Sequence, residues 1–169
     1  RLKAEKSVES LELLSSDYQQ KEDRLLAARR ILSESRTPQT TQILRLLRDN
    51  SIDSKRLALL MIGKFRMTDM LPEVSGCLNI PALESQATFV LKSFGKDADE
   101  ELRRYYLLSS GNINVCRNIL RLLGENCDGE NKSFLFARLW SNSRQIREIA
   151  LKKLIDCGFT PTEEEKDRL

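Results

Sequence analysis

The residues of this chain best suited to chemistry are cations. Arg29, Arg30, Lys64, Arg66, Lys92, Arg117, Arg121 and Lys152, with Lys153 beside the last, fall in five stretches roughly 30 residues apart. Fewer acids share those stretches: Glu34, Glu84, Glu148 and Asp156. If each stretch is one helix of a repeat, the cations line a ridge. Such a ridge would hold an acidic or phosphorylated peptide, an anionic lipid surface or a nucleic-acid backbone. The chain's net charge is only +3, so any attraction for polyanions is local to the ridge rather than global. The competing reading is a set of solvated helix faces paired with Glu and Asp at i, i+4.

Other chemistries are excluded early. The chain has no histidine, which removes Ser-His and Cys-His nucleophiles and the common mixed zinc sites. The four cysteines, Cys77, Cys116, Cys127 and Cys157, form no C-x-x-C pair. They read as buried free thiols acting as small apolar groups, which favours a reducing, cytoplasmic setting. The seven glycines are isolated, so no phosphate-cradling loop is present. Glu163 to Glu165 lie in the first turn of the last expected helix, where carboxylates suit the helix dipole. No catalytic residue, metal or cofactor is expected, and the chain does not read as an enzyme.

The elements that would position the cations form a repeat. Ala28, Ala58, Ala87, Cys116 and Ala150 are separated by 30, 29, 29 and 34 residues, and each is followed four positions on by a large aliphatic residue. Four of the five add an apolar residue at the third step: Ile31, Met61, Val90 and Ile119. A period of this length marks stacked helical hairpins. Apolar residues recur at steps of 3 and 4 throughout, with no long alternation of the kind a strand needs.

The helices expected from this pattern run over 3–17, 21–34, 52–65, 98–109, 113–123, 131–140 and 144–157. Others start at Thr37-Pro38, at the Thr68 cap and at Asn79-Ile80-Pro81, the last running to Phe94. A final helix opens at Thr160-Pro161-Thr162-Glu163, a capping box with proline at the first helical position. The repeats divide at about 3–36, 37–66, 67–95, 96–125 and 126–158. Leu14, Leu44, Leu102 and Phe136 lie fourteen residues before their repeat's small residue and mark the first-helix register. The longest interval places its extra residues in the loop from Asn126 to Asn131, where insertion costs little.

A small residue at a helix crossing permits the near end of the roughly 8–10 Å interaxial range. The aliphatics three and four positions later share its face and fill the layer to the next hairpin. Tyr105 and Leu139 share one slot, and Tyr106 and Trp140 the next. Repeated slots read as core, with one aromatic left to serve as an exposed anchor.

Phrases such as Ser85 to Gly95 and Ile146 to Leu154 resemble the second-helix pattern of HEAT-like repeats, in particular the short bacterial kind named after phycobilisome lyases. The resemblance covers about residues 8–158. It implies an all-α, right-handed α-solenoid of about five stacked hairpins, related in build to armadillo repeats, with second helices lining a concave surface. The usual aspartate-proline turn is largely absent, Ile146-Arg147 being the nearest match to the residues that follow it, so no lyase role is implied. The function expected is a non-catalytic scaffold or regulatory segment binding a protein partner on the concave face. Nucleic-acid or other polyanion binding is the alternative. A third is the cytosolic extension of a membrane protein, with Arg1-Leu-Lys3 following a span.

Overall fold

A computed structural model of the chain describes residues 21–33 and 37–163. Among these residues there is no strand; the fold is all-α. It divides into two compact units, residues 1–94 and 95–169. The expected helix 3–17, the Arg1-Leu-Lys3 flank, Glu34, and the last helix beyond Glu163 lie outside the described residues.

Unit 1 contains α1 (Lys21–Ser33), α2 (Thr40–Arg48), α3 (Ile52–Phe65), the short α4 (Leu71–Gly76) and α5 (Glu84–Phe94), with single 3-10 turns at Thr68–Met70 and Cys77–Asn79. Helix α3 is central: α2 backs it, and α1 and α5 flank it. Helix α4 and the turn after it back α5 in the same way. The small residues Ala28, Ala58 and Ala87 have no solvent-exposed surface. Ile31, Met61, Ile62, Val90 and Leu91 are buried beside them. Gly63 on α3 packs against Val90 of α5, whose methyl carbons lie 3.5 and 3.7 Å from where a Cβ would sit, ordinary contact distances that a methyl group there would also make.

Unit 2 contains the 3-10 turn Gly95–Ala98, α6 (Asp99–Leu108), α7 (Ile113–Leu123), α8 (Gly129–Phe136), the 3-10 turn Ala137–Trp140 and α9 (Arg144–Asp156). Helix α6 packs on α7, α8 packs on α9, and α7 lies against α9. Cys116, Leu120, Leu135, Leu139, Ile146, Ile149, Ala150 and Leu154 form one buried cluster. Cys116 thus takes the place that alanine holds in the other repeats. Its thiol donates to the Ser109 carbonyl at 3.2 Å.

Several expectations are corrected. Helix α2 begins at Thr40, not at Pro38, because Gln42 reaches back to accept from the Gln39 amide (2.8 Å) and closes the first turn there. Helix α5 begins at Glu84 rather than near Asn79: Ile80, held extended before Pro81, accepts from Leu83 and Glu84 in a separate turn. The 131–140 helix is an α-helix only to Phe136 and tightens to 3-10 over Ala137–Trp140. Pro72 does lie in the first turn of α4.

The first-helix register is one residue off at two repeats. Ile43 and Leu135 are wholly buried, while Leu44 is half-buried and Phe136 exposed; Leu102 is buried as expected. Eight residues after the small residue stand Arg66, Gly95, Gly124 and Gly158, and these positions do not all end their helices in the same way. Gly95 and Gly158 take positive φ (58° and 79°), and Arg66 takes the same left-handed conformation with φ 53°. Gly124 does not: its φ is −73°. There a side chain is forbidden for another reason, since a Cβ would lie 2.6–2.7 Å from the Cβ, Cγ and Cδ of Lys153.

The cysteines also divide. Cys77 and Cys116 are free and buried, and burial pushes both thiols above their ordinary pKa. Cys127 and Cys157 are joined in a disulfide, with their Cα atoms 5.6 Å apart. The inference from four free thiols to a reducing compartment therefore loses its premise. No helix among the described residues is long and apolar enough to cross a membrane.

Candidate functional site

The eight candidate cations are shared between the units. Arg29, Arg30, Lys64, Arg66 and Lys92 belong to unit 1, and Arg117, Arg121 and Lys152 to unit 2.

In unit 1 solvent reaches α3 only on the side away from α2, because α1 and α5 cover its flanks. The exposed residues there are Asp53, Arg56, Leu60 and Lys64, a stripe at steps of 3, 4 and 4. Helix α1 exposes Leu26, Arg29, Arg30 and Ser33, and α5 exposes Ser85, Phe89, Lys92 and Ser93. Each stripe lies opposite its helix's buried alanine, so the three stripes form one crest. Arg30, Leu60 and Phe89 occupy the same slot in it, two residues past the alanine and one on each helix.

The crest is basic. Arg29, Arg30, Arg56, Lys64 and Lys92 are exposed on it; among the described side chains the one exposed acid is Asp53, which pairs with Arg56 at 3.7 Å. Some of this charge also joins the helices. Lys64 donates to the Leu32 carbonyl at the end of α1 and lies over the Phe65 ring at 5.2 Å. Arg66 donates to the Ser93 carbonyl (2.5 Å) and stacks over Phe94 at 4.6 Å. Arg56 donates to the Ala82 carbonyl (3.3 Å), and Gln86 donates back to the Arg56 carbonyl (2.9 Å). Cations at carbonyl ends of helices satisfy orphan acceptors and suit the dipole. Lys64 and Arg66 are thus structural as well as candidate binding residues.

The crest is also apolar, which the sequence reading missed. Leu26 is 51% exposed, Leu60 43% and Phe89 69%. The sequence held a usable signal. A residue two steps past a buried position is about 200° away from it around the helix, so Leu60 and Phe89 had to face water once Ala58 and Ala87 were assigned to the seam. The repeat pattern assigns only the third- and fourth-step residues and gives the second step, where Leu60 and Phe89 stand, no role.

Unit 2 presents its cations differently. Arg117 is half-buried and donates to Gln145 (3.3 Å); Arg144 pairs with Glu148 (2.7 Å) and Lys153 with Asp156 (3.6 Å). Arg147 donates to the Ser141 and Asn142 carbonyls. Arg121 and Lys152 are exposed. Asn118 stands in the slot that holds Leu60 and Phe89 in unit 1, and it is buried.

The polar atoms of unit 2 converge elsewhere, at the Asn126 loop. Asn131, wholly buried, donates to Asp99 Oδ2 (2.8 Å) and to the Asn126 carbonyl (3.0 Å). Asn126 donates to the same carboxylate, and Arg103 donates to Asn131 Oδ1 and Glu130 (2.6 Å each). Asp128 caps α8 through the Asn131 amide (2.8 Å). Burial raises the Asp99 pKa against the pull of its amide donors. Among the described residues no cluster of three or more His, Cys, Asp or Glu side chains could hold a metal ion. The Asp99 network reads as a brace for the loop.

Aromatic residues gather in unit 2. Tyr106 meets Phe134 edge-on, and Arg138 lies over both rings. Trp140, 50% exposed, is the aromatic left outside this core and contacts Phe136. Phe136, Leu154, Phe159 and Lys132 border a cavity of about 490 Å³.

No protein-family model matches the chain, and no curated protein matches it.

Proposed function

We propose that this chain is a non-catalytic binding module, built in each unit from HEAT-like helical hairpins, and that it holds a protein partner on the crest of unit 1. The observation that carries this reading is the exposure of Leu60 and Phe89 in equivalent slots of neighbouring helices, surrounded by cations. Exposed apolar residues grouped within a polar rim are the common makeup of protein interfaces. Scaffolding or regulation within a larger assembly is the role such a surface serves.

Nucleic acid or another polyanion is the second reading, and the excess of exposed cations over Asp53 is the observation in its favour. Phosphates gain nothing from Leu60, so the protein reading accounts for more of the crest.

Photo-crosslinking in the cells that express the protein separates the two. A crosslinking phenylalanine analogue at Phe89 should give discrete protein adducts, while the same analogue at Phe94, 3% exposed, should give none. Adducts to nucleic acid alone, or none at all, would overturn the assignment.

A further inference from the structure

The crest of unit 1 has a fixed spacing as well as a chemistry, and the two together specify an occupant. This inference rests on the reading of the crest as a protein-binding face. Leu60 and Phe89 stand in the same slot on side-by-side helices, so their separation is close to one interaxial distance, about 8–10 Å. Leu26, one turn before Arg30 on α1, offers an apolar contact one helix further along.

A partner segment crossing α3 and α5 must present apolar groups at that interval on one face, and one that continues over α1 meets Leu26 a turn to the side. An extended strand does not. Its same-face residues recur at about 6.6 and 13 Å, and the residue near 10 Å points the other way. An α-helix does: residues i and i+7 return to within about 20° of the same face and lie about 10.5 Å apart.

The charge sets the rest of the sequence. Arg30, Arg56, Lys64 and Lys92 surround the apolar residues, and among the described side chains of these three stripes Asp53 is the one exposed acid. Carboxylates flanking the apolar positions complement such a surface, whereas lysines would be repelled. We infer that the crest of unit 1 binds an acidic amphipathic α-helix of a partner protein, laid across α1, α3 and α5, with apolar residues at i, i+7 and i+14 against Phe89, Leu60 and Leu26. The cations supply on-rate and exclude basic segments, and the apolar row supplies the anchor.

The test is fluorescence anisotropy with the whole 169-residue chain and labelled peptides of about 18 residues, enough to span three helices. One peptide carries leucines at i, i+7 and i+14 with glutamates flanking them. A second has the same composition with the leucines moved off the common face. A third replaces each glutamate by lysine. Duplex and single-stranded DNA serve as polyanions. The first peptide should bind, and Phe89→Ala and Leu60→Asp should each weaken it about tenfold or more. Circular dichroism should stay unchanged, because both side chains face water. The rearranged and basic peptides should bind at least about tenfold more weakly.

Equal binding of the rearranged peptide, or indifference to Phe89→Ala, would overturn the helical anchor. Preference for DNA would overturn the occupant's class. Failure of every peptide, with photo-crosslinking at Phe89 still giving protein adducts that Arg30→Glu with Lys92→Glu abolishes, would reject the acidic helix and leave the crest as an interface. Failure of both experiments would reject the crest as well.

Discussion

In unit 1 neighbouring helices are joined by long cations reaching helix-end carbonyls, Lys64 to Leu32 and Arg66 to Ser93. In unit 2 the equivalent work falls to a carboxylate–amide network around Asp99 and to the Cys127–Cys157 disulfide. Both units bury the same kind of seam, alanine or cysteine at the crossing with aliphatics beside it. What differs is what remains for the surface. Unit 1 carries its joining charges on the solvent side, next to exposed Leu60 and Phe89. Unit 2 draws polar groups inward, and its outer cations are largely paired with Glu148, Asp156 and loop carbonyls. Unit 2 also exposes apolar side chains, at Leu107, Leu108, Trp140 and Ile155, so the contrast between the units lies in the charge. A face meant for a charged partner must leave charge outside. A face that only closes the fold need not.

The disulfide offers the hardest way to break this contrast. It closes a segment of 30 residues, for which loop-closure entropy amounts to about 3–4 kcal/mol. Replacing Cys127 and Cys157 by serine together should therefore cost roughly 3 kcal/mol. Hydrogen exchange should show lost protection in α7–α9 and unchanged protection in α3. Loss spread evenly over both units would mean that they unfold as one, and the comparison would lose its footing.

Overpacking tests the element the units share. Ala58→Leu would force a branched side chain into a position with no exposed surface, at roughly 1–3 kcal/mol. Gly124→Ala would push a methyl into the Lys153 stem, at a similar cost of about 1–3 kcal/mol. Chemical denaturation measures both. If either variant melts like the parent, its helix crossing is looser than the distances indicate.

The success of the seam shows what was legible in the sequence. The small residues at 28, 58, 87, 116 and 150 are all buried, because burial there follows from a period that local residue types express directly. The rest was set by tertiary geometry. Nothing local in the sequence says that Gly124 is required by a lysine 29 residues later rather than by its φ, or that Arg66 adopts a glycine's conformation. The Asn126 loop looked tolerant of insertion for the same reason. Its partners, Asp99 and Cys157, come from distant turns. Of the candidate site, the cations were found by type, and their two duties, joining helices and facing outward, needed the carbonyl partners to be seen.

The Asp99 brace predicts a pH dependence confined to unit 2. Burial raises the carboxyl pKa most, with a smaller push from Asp128, while Asn131, Asn126 and Arg103 oppose it. A raised folded value means that the native unit binds the proton more tightly than the unfolded chain. The stability tied to this group is therefore complete below the unfolded pKa and is lost as pH rises through the folded one. Asp99→Asn should cost about 1 kcal/mol through the lost acceptor, and the gap to the parent should be widest in acid and narrow toward neutral pH. Urea unfolding across that range checks it. A gap that widens toward neutral pH would mean the network holds the carboxylate charged.

The smallest effect separates structure from function most finely. Arg66 sits in a left-handed conformation that costs a non-glycine residue about 1–2 kcal/mol. Its hydrogen bond to Ser93 and its stacking on Phe94 return about 1 kcal/mol each. Arg66→Gly should thus change stability by less than about 1 kcal/mol in either direction. A clear loss would make Arg66 a structural joint of unit 1 and remove it from the partner-facing set. A clear gain would mean that an arginine is kept where glycine, as at Gly95 and Gly158, folds better. In unit 1, with its outward charge, the reason to look for would then be the partner; in a unit that turns its charge inward, the same gain would have no such explanation.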